Sequence, residues 1–210
     1  MKNQISIYWF RQDLRLSDNQ AFTAATQNGH VLPIYILDDV NAGDYAMGAA
    51  SRWWLHHSLH SLNASLEDGL SIYCGNPEDI LLDLIARYDI DTVYWNRCYE
   101  PWRITRDTAI KERLLTLGVE ARSFNGSLLW EPWQIAKSDG TPYRVFTPYY
   151  RKGCLQAAEP REPHGAPRNV NFAKPVSASL PLDALKLLPK HPWDEKLMPH
   201  WHIGENAAQQ

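Results

Sequence analysis

Apolar residues fall along the first half of the chain in two alternating rhythms. Short β-rich runs at 5–10, 31–37, 70–74, 92–96 and 119–124 have the length of strands. Between them the spacing becomes helical. Leu55, Leu59, Leu62 and Leu66 recur at steps of four, three and four, which places them on one face of a helix. Ser17 or Asp18 is positioned to cap an earlier helix over Ala21, Phe22, Ala24 and Ala25. Asn76-Pro77-Glu78-Asp79 supplies a cap, a first-turn proline and acids at the positive end of the dipole. Pro101 opens a fourth helix, and Gly118 follows its last leucine, where a left-handed cap is expected. Five strands joined by four crossover helices predict an α/β fold with a doubly wound, five-stranded parallel sheet of Rossmann-like type. The runs IYWF and VLPIYIL are apolar at every position, as a sheet covered on both faces requires.

The rhythm ends near residue 130. Eleven of the fourteen prolines lie between Pro132 and Pro199, so this half is expected to be extended chain and turns, with one short helix at 148–158. It also carries Trp130, Trp133, Phe146, Tyr149, Tyr150, Trp193 and Trp201, too many large aromatics for a free linker. The division is therefore an α/β domain at 1–130 followed by a long proline-rich linker at 131–210 that packs on it. The closing residues 204–210 read as the first turn of a further helix, and the chain as part of a longer protein.

Composition narrows the function. At 210 residues and net charge -3, the chain does not have the bulk basicity of a domain that holds nucleic acid by charge alone. No apolar stretch reaches membrane-spanning length, and the N-terminus lacks a signal-peptide pattern. Three scattered cysteines without a C-x-x-C pair suit a reducing cytoplasm.

Candidate chemistry gathers where strands end. In an open doubly wound sheet, ligands sit beyond the carboxyl ends of the strands, at the point where strand order reverses. If the first and fourth strands flank that point, Arg11-Gln12-Asp13 meets the segment from Asn96 to Glu100, with Asp38-Asp39 nearby. Two readings of these charges stay open: a local ion network of Arg11, Asp13 and Arg15 that fixes the loop, or groups facing a ligand or a second domain. No G-x-G-x-x-G, Walker-type lysine loop or G-x-S-x-G elbow is present, and the glycine spacing at Gly43–Gly48 is followed by Ala49-Ala50. His56 and His60 have the i, i+4 spacing of a metal pair but no visible third ligand, so no metal site is expected. The segment from Arg144 to Lys174 has a local excess of four positive charges, which reads first as solvated surface.

The segment from Trp9 to Asn19, WFRQDLRLSDN, resembles the N-terminal signature of DNA photolyases and cryptochromes. Further matches follow in that family's order: Ser51–Leu55 with Ser58-Leu59, Gly75-Asn76-Pro77, Tyr94-Trp95-Asn96 with Glu100-Pro101, Arg106-Asp107, and GTPYRVFTPYY at 140–150. The resemblance implies an N-terminal α/β domain joined by a wandering linker to a helical domain. That helical domain binds FAD and repairs pyrimidine dimers in DNA with light, a base-extruding chemistry. This chain alone is then expected to be inactive. Its implied role is to hold an antenna chromophore (a deazaflavin, FMN or methenyltetrahydrofolate) and pass excitation energy to FAD. A cryptochrome-like photoreceptor without repair is the alternative. The resemblance places Arg11, Tyr35, Leu37, Asp38, Met47, Arg52, Asn96 and Glu100 at the antenna pocket, and Asp13, Arg15 and Asp18 at the junction with the helical domain. One folate-binding pattern carries Asn-Glu where this chain has Trp102-Arg103.

Overall fold

The computed structural model describes residues 4–173 and 179–209. Five parallel strands, β1 (Ile5–Phe10), β2 (His30–Leu37), β3 (Ser71–Cys74), β4 (Thr92–Asn96) and β5 (Glu120–Phe124), lie in the order β3-β2-β1-β4-β5. The doubly wound α/β sheet expected from the sequence is therefore present. Its order reverses between β1 and β4, whose Ser6, Ile7 and Tyr8 pair with Thr92, Val93 and Tyr94.

Strand alternation splits β1 between two cores. Tyr8 and Phe10 join Phe22 of α1 (Gln20–Thr26) and Leu55, Leu59 and Leu62 of α2 (Ala49–Ser65). Ile7 and Trp9 face the other way, into Leu81 and Leu84 of α3 (Pro77–Tyr88) and Ile110 and Leu114 of α4 (Pro101–Thr116). The α3 start matches its sequence signals: Asn76 accepts from the Glu78 N–H and Pro77 fills the first turn. The α1 cap differs from expectation. Asn19, not Ser17 or Asp18, accepts the Phe22 N–H at 3.0 Å, because Asn19 is fully buried in a polar cluster while Asp18 sits at φ 50°.

The proline-rich half packs on this layer. Asn171 and Ala173 bond the backbone of Val31 beside β2, ahead of the point where β3 begins to pair, and Leu180 and Ser179 bond Ile72 of β3. Backbone groups at the sheet margin thus gain partners. Leu185 and Leu187 enter the core under α2. Near the expected short helix, Phe146–Pro148 continues through a π-turn at Tyr149–Gly153 into a 3-10 turn at Cys154–Gln156. A last turn forms at Glu205–Ala208. Among the described residues no helix is long and apolar enough to cross a membrane.

Candidate chromophore site

The segments led by Arg11 and Asn96 meet at one rim of the sheet. The Arg11 guanidinium donates to the Asn96 carbonyl and to Asp107 on α4, with Arg11 only 6% exposed. Asp107 also accepts from Arg106 Nε and Nη2 at 3.0 and 2.8 Å, and Arg106 Nη1 donates to Asp38 Oδ2 at 2.8 Å. Burial pulls the Arg106 pKa down, but Asp107 and Asp38 outweigh it and the net shift is upward. An Arg11–Asp107–Arg106–Asp38 chain thereby ties the ends of β1 and β2 to α4.

Behind it lies a buried polar cluster. Asp13 accepts from the Tyr8 hydroxyl (2.6 Å), the Arg11 N–H (3.0 Å) and Asn96 Nδ2 (2.6 Å), while Asn96 Nδ2 also reaches Asn19 Oδ1 at 2.8 Å. Burial first, then Asp13, holds the Tyr8 hydroxyl far above the ordinary phenol range, so it remains a donor. Gly126 passes so close to Asn96 that a Cβ there would overlap its side chain.

In front of the rim opens a cavity of about 850 Å³. Trp9, Trp102, Arg103 and Arg106 form one wall; Met47, Ser51, Trp54, Leu55 and Ser58 form the other; Tyr35 and Asp38 lie at the strand ends. Gly204, Glu205, Ala208 and Gln209 also line it, and Glu205 accepts the backbone N–H groups of Leu16 and Ser17 at 2.7 and 2.8 Å. The first wall is a column of alternating rings and guanidinium groups. Arg106 lies 4.9 Å from the Trp9 ring centroid and 5.2 Å from that of Trp102, and Arg103 lies 4.7 Å from Trp102. Aromatic and aliphatic walls with few polar anchors fit a planar ring system.

Of the antenna residues expected from the sequence, Arg11, Tyr35, Asp38 and Met47 line this cavity. Burial pushes the Tyr35 hydroxyl up, keeping it neutral. Leu37 lies in the core on the α2 side, and Asn96 is 1% exposed within the polar cluster. Arg52 turns to Asp39 (2.7 Å) and the Met47 carbonyl (3.0 Å). Glu100, half-exposed, lines a separate depression of about 290 Å³ with Gln12, Arg97, Cys98, Tyr99 and Ser127. Of the junction residues, Arg15 and Asp18 line the main cavity and Asp13 is buried. Arg15 donates to the carbonyls of Ser17, Asp18 and Gly126, and Asp18 pairs with Arg161 of the basic segment, which lowers the Asp18 pKa. Lys174 of that segment lies outside the described residues. Among the described residues no cluster of three potential ligands is placed to hold a metal. Sequence reasoning did not single out Trp102, Arg103 or Trp54 as lining groups. Their helical positions were legible, but not which face meets β1.

A doubly wound domain with a ring-sized cavity at its switch point defines an open α/β ligand-binding domain. The chain belongs to the DNA photolyase family, as its N-terminal α/β domain: the model of that family, DNA photolyase, matches residues 6–168. The chain is similar to the deoxyribodipyrimidine photo-lyase of Agrobacterium fabrum, 42% identical over 214 residues, which cover 99% of this chain and 44% of that protein. It is also similar to cryptochrome-2 of Arabidopsis thaliana, 39% identical over 154 residues, covering 71% of this chain and 25% of that protein. The crystal structure of a bacterial class III photolyase from Agrobacterium tumefaciens superposes with a TM-score of 0.91 at 40% identity, covering all of this chain and 44% of that one. The chain thus spans less than half the length of these relatives.

Proposed function

We propose that this domain holds an antenna chromophore for a deoxyribodipyrimidine photolyase and passes its excitation energy to FAD in a helical domain outside this chain. The observation that carries the reading is the cavity of about 850 Å³ at the β1/β4 switch point. The bound group supplies light absorption. The chain supplies a fixed distance and orientation, and the residues present fit that task. Trp54, 41% exposed, offers a ring face opposite the wall built on Trp9 and Trp102, Met47 and Leu55 fill the aliphatic edge, and the neutral Tyr35 hydroxyl and Ser51 and Ser58 are polar anchors. The Arg11–Asp107–Arg106–Asp38 chain locks the wall against which a ring stacks. In the intact protein, DNA containing pyrimidine dimers is the proposed substrate, and the domain at 131–210 is the linker toward the helical partner.

Similarity to a plant cryptochrome favours a second reading, a photoreceptor built on the same domain without repair. Light-dependent dimer repair by the intact protein separates the two. The antenna claim itself is tested by titrating this chain with a deazaflavin, FMN and methenyltetrahydrofolate. Saturable binding of one of them is expected. Ser51→Trp, at an exposed helix position on the cavity wall, should weaken it at least tenfold, about 1.4 kcal/mol. No saturable binding of any of the three overturns the reading.

A further inference from the structure

We propose that Arg103 makes this cavity selective for rings that carry an acidic tail, a phosphate or a carboxylate. The proposal rests on the chromophore reading of the same cavity. Four arginines line it, and three are held by hydrogen bonds to oxygen acceptors. Arg11 serves Asp107 and the Asn96 carbonyl, Arg106 serves Asp38 and Asp107, and Arg15 serves three carbonyls.

Arg103 differs. Its Nε is buried without a hydrogen-bond partner; it forms only a loose, half-exposed ion pair with Glu100 Oε1 at 3.5 Å, an oxygen that also accepts from Gln12 Nε2 at 3.0 Å. Its Nη1 meets only the Cys98 sulfur, at 3.4 Å, a weak acceptor. Burial pushes the Cys98 thiol up, against the pull of Arg11 and Arg103, so that neighbour stays neutral. A guanidinium presents five donors in a rigid fork that matches carboxylate and phosphate oxygens. Here the fork is held over the Trp102 ring at 4.7 Å, and its side chain is only 17% exposed. Water therefore competes weakly for it, and a bound anion gains more than it would at an open surface. The ring that stacks on the wall and the anion that meets Arg103 are thus read by adjacent residues of one helical turn.

The test offers each ring with and without its acidic group to the unmodified chain, Arg103→Gln and Arg103→Lys. The pairs are FMN against riboflavin, a deazaflavin with and without its phosphoester tail, and methenyltetrahydrofolate against its glutamyl diester. For the ring that binds, the acidic form should bind at least tenfold tighter. Arg103→Gln should erase that advantage by weakening the acidic form at least tenfold more than the neutral form, while Arg103→Lys retains part of it. The phosphate and carboxylate pairs separately show which anion is read. Equal binding of acidic and neutral forms overturns the proposal and leaves the chromophore reading standing. An equal loss of both forms in Arg103→Gln also overturns it, since Arg103 then only props Trp102. Failure of every ring to saturate overturns both.

Discussion

Asp107 is the residue on which the rim depends. It faces two guanidinium groups, and its own side chain is 10% exposed. A buried ion pair contributes little net stability against a well-packed apolar alternative, yet removing one partner leaves an uncompensated charge. Asp107→Ala strands Arg11, whose other acceptor is a neutral carbonyl, while Arg106 keeps Asp38. We expect a loss of about 3–5 kcal/mol in chemical denaturation. Asp38→Ala, which leaves Arg106 its contacts with Asp107, should cost less. A loss for Asp107→Ala no larger than that of an exposed pair such as Arg87–Asp83, about 0–1 kcal/mol, contradicts the assignment.

At the scale of the element, α2 joins the two halves of the chain, with two histidines inside the contact. Trp53 donates to Asp194 Oδ2 at 3.0 Å and packs on Trp193, with ring centroids 6.3 Å apart; Trp54 packs on Trp201 at 5.4 Å. His56 and His57 sit in this contact, and one ring nitrogen of each is buried without a partner. Burial lowers both pKa values from 6.5; neighbouring histidines lower them further, against the opposing pull of Asp183 and Asp194. A depressed folded-state value means that the unfolded chain binds the proton more tightly. The stability these neutral rings allow is therefore complete above pH 6.5 and declines as pH falls below it. Thermal unfolding should shift downward between pH 7.5 and 5.5, with indole fluorescence reporting the loosening of Trp193 and Trp201 from α2. His56→Gln with His57→Gln should flatten that slope. The Asp18–Arg161 pair, a lowered carboxylate, acts in a separate window, as pH falls below its ordinary value of 3.8. An unchanged slope in the double variant assigns the pH response elsewhere.

For the whole molecule, the sheet and its rim were legible because strand periodicity and crossover handedness leave few alternatives. The runs at 5–10 and 92–96 are rich in β-branched and aromatic residues, and together with the rule for open sheets they brought Arg11 to Asn96. What stayed hidden depends on how elements meet. Ser17, Asp18 and Asn19 are all cap-forming types, and only the buried cluster around Tyr8 selects Asn19. Trp102 and Arg103 become a wall only because α4 lies across Trp9 on β1. The folding back of 171–173 and 179–187 onto the sheet has a compositional signal in Phe172 and the leucines but none for register. The same composition leaves an uncovered region. Val145 and Phe146 are largely exposed, Phe146 is 72% exposed, and its ring stacks on Tyr150 with centroids 5.8 Å apart and planes 6° from parallel. Leu155 and Trp133 are exposed as well. Exposed large apolar side chains of this kind drive association in water. The chain on its own should therefore self-associate weakly, with a sedimentation coefficient that rises with concentration. Phe146→Ser with Tyr150→Ser should weaken that association about tenfold, on the order of 1.4 kcal/mol. Added salt should not weaken it, because burial of rings rather than pairing of charge is the driving term. A monomer at every concentration, or an association abolished by salt, assigns the contact to the neighbouring Arg144, Arg151 and Lys152 instead.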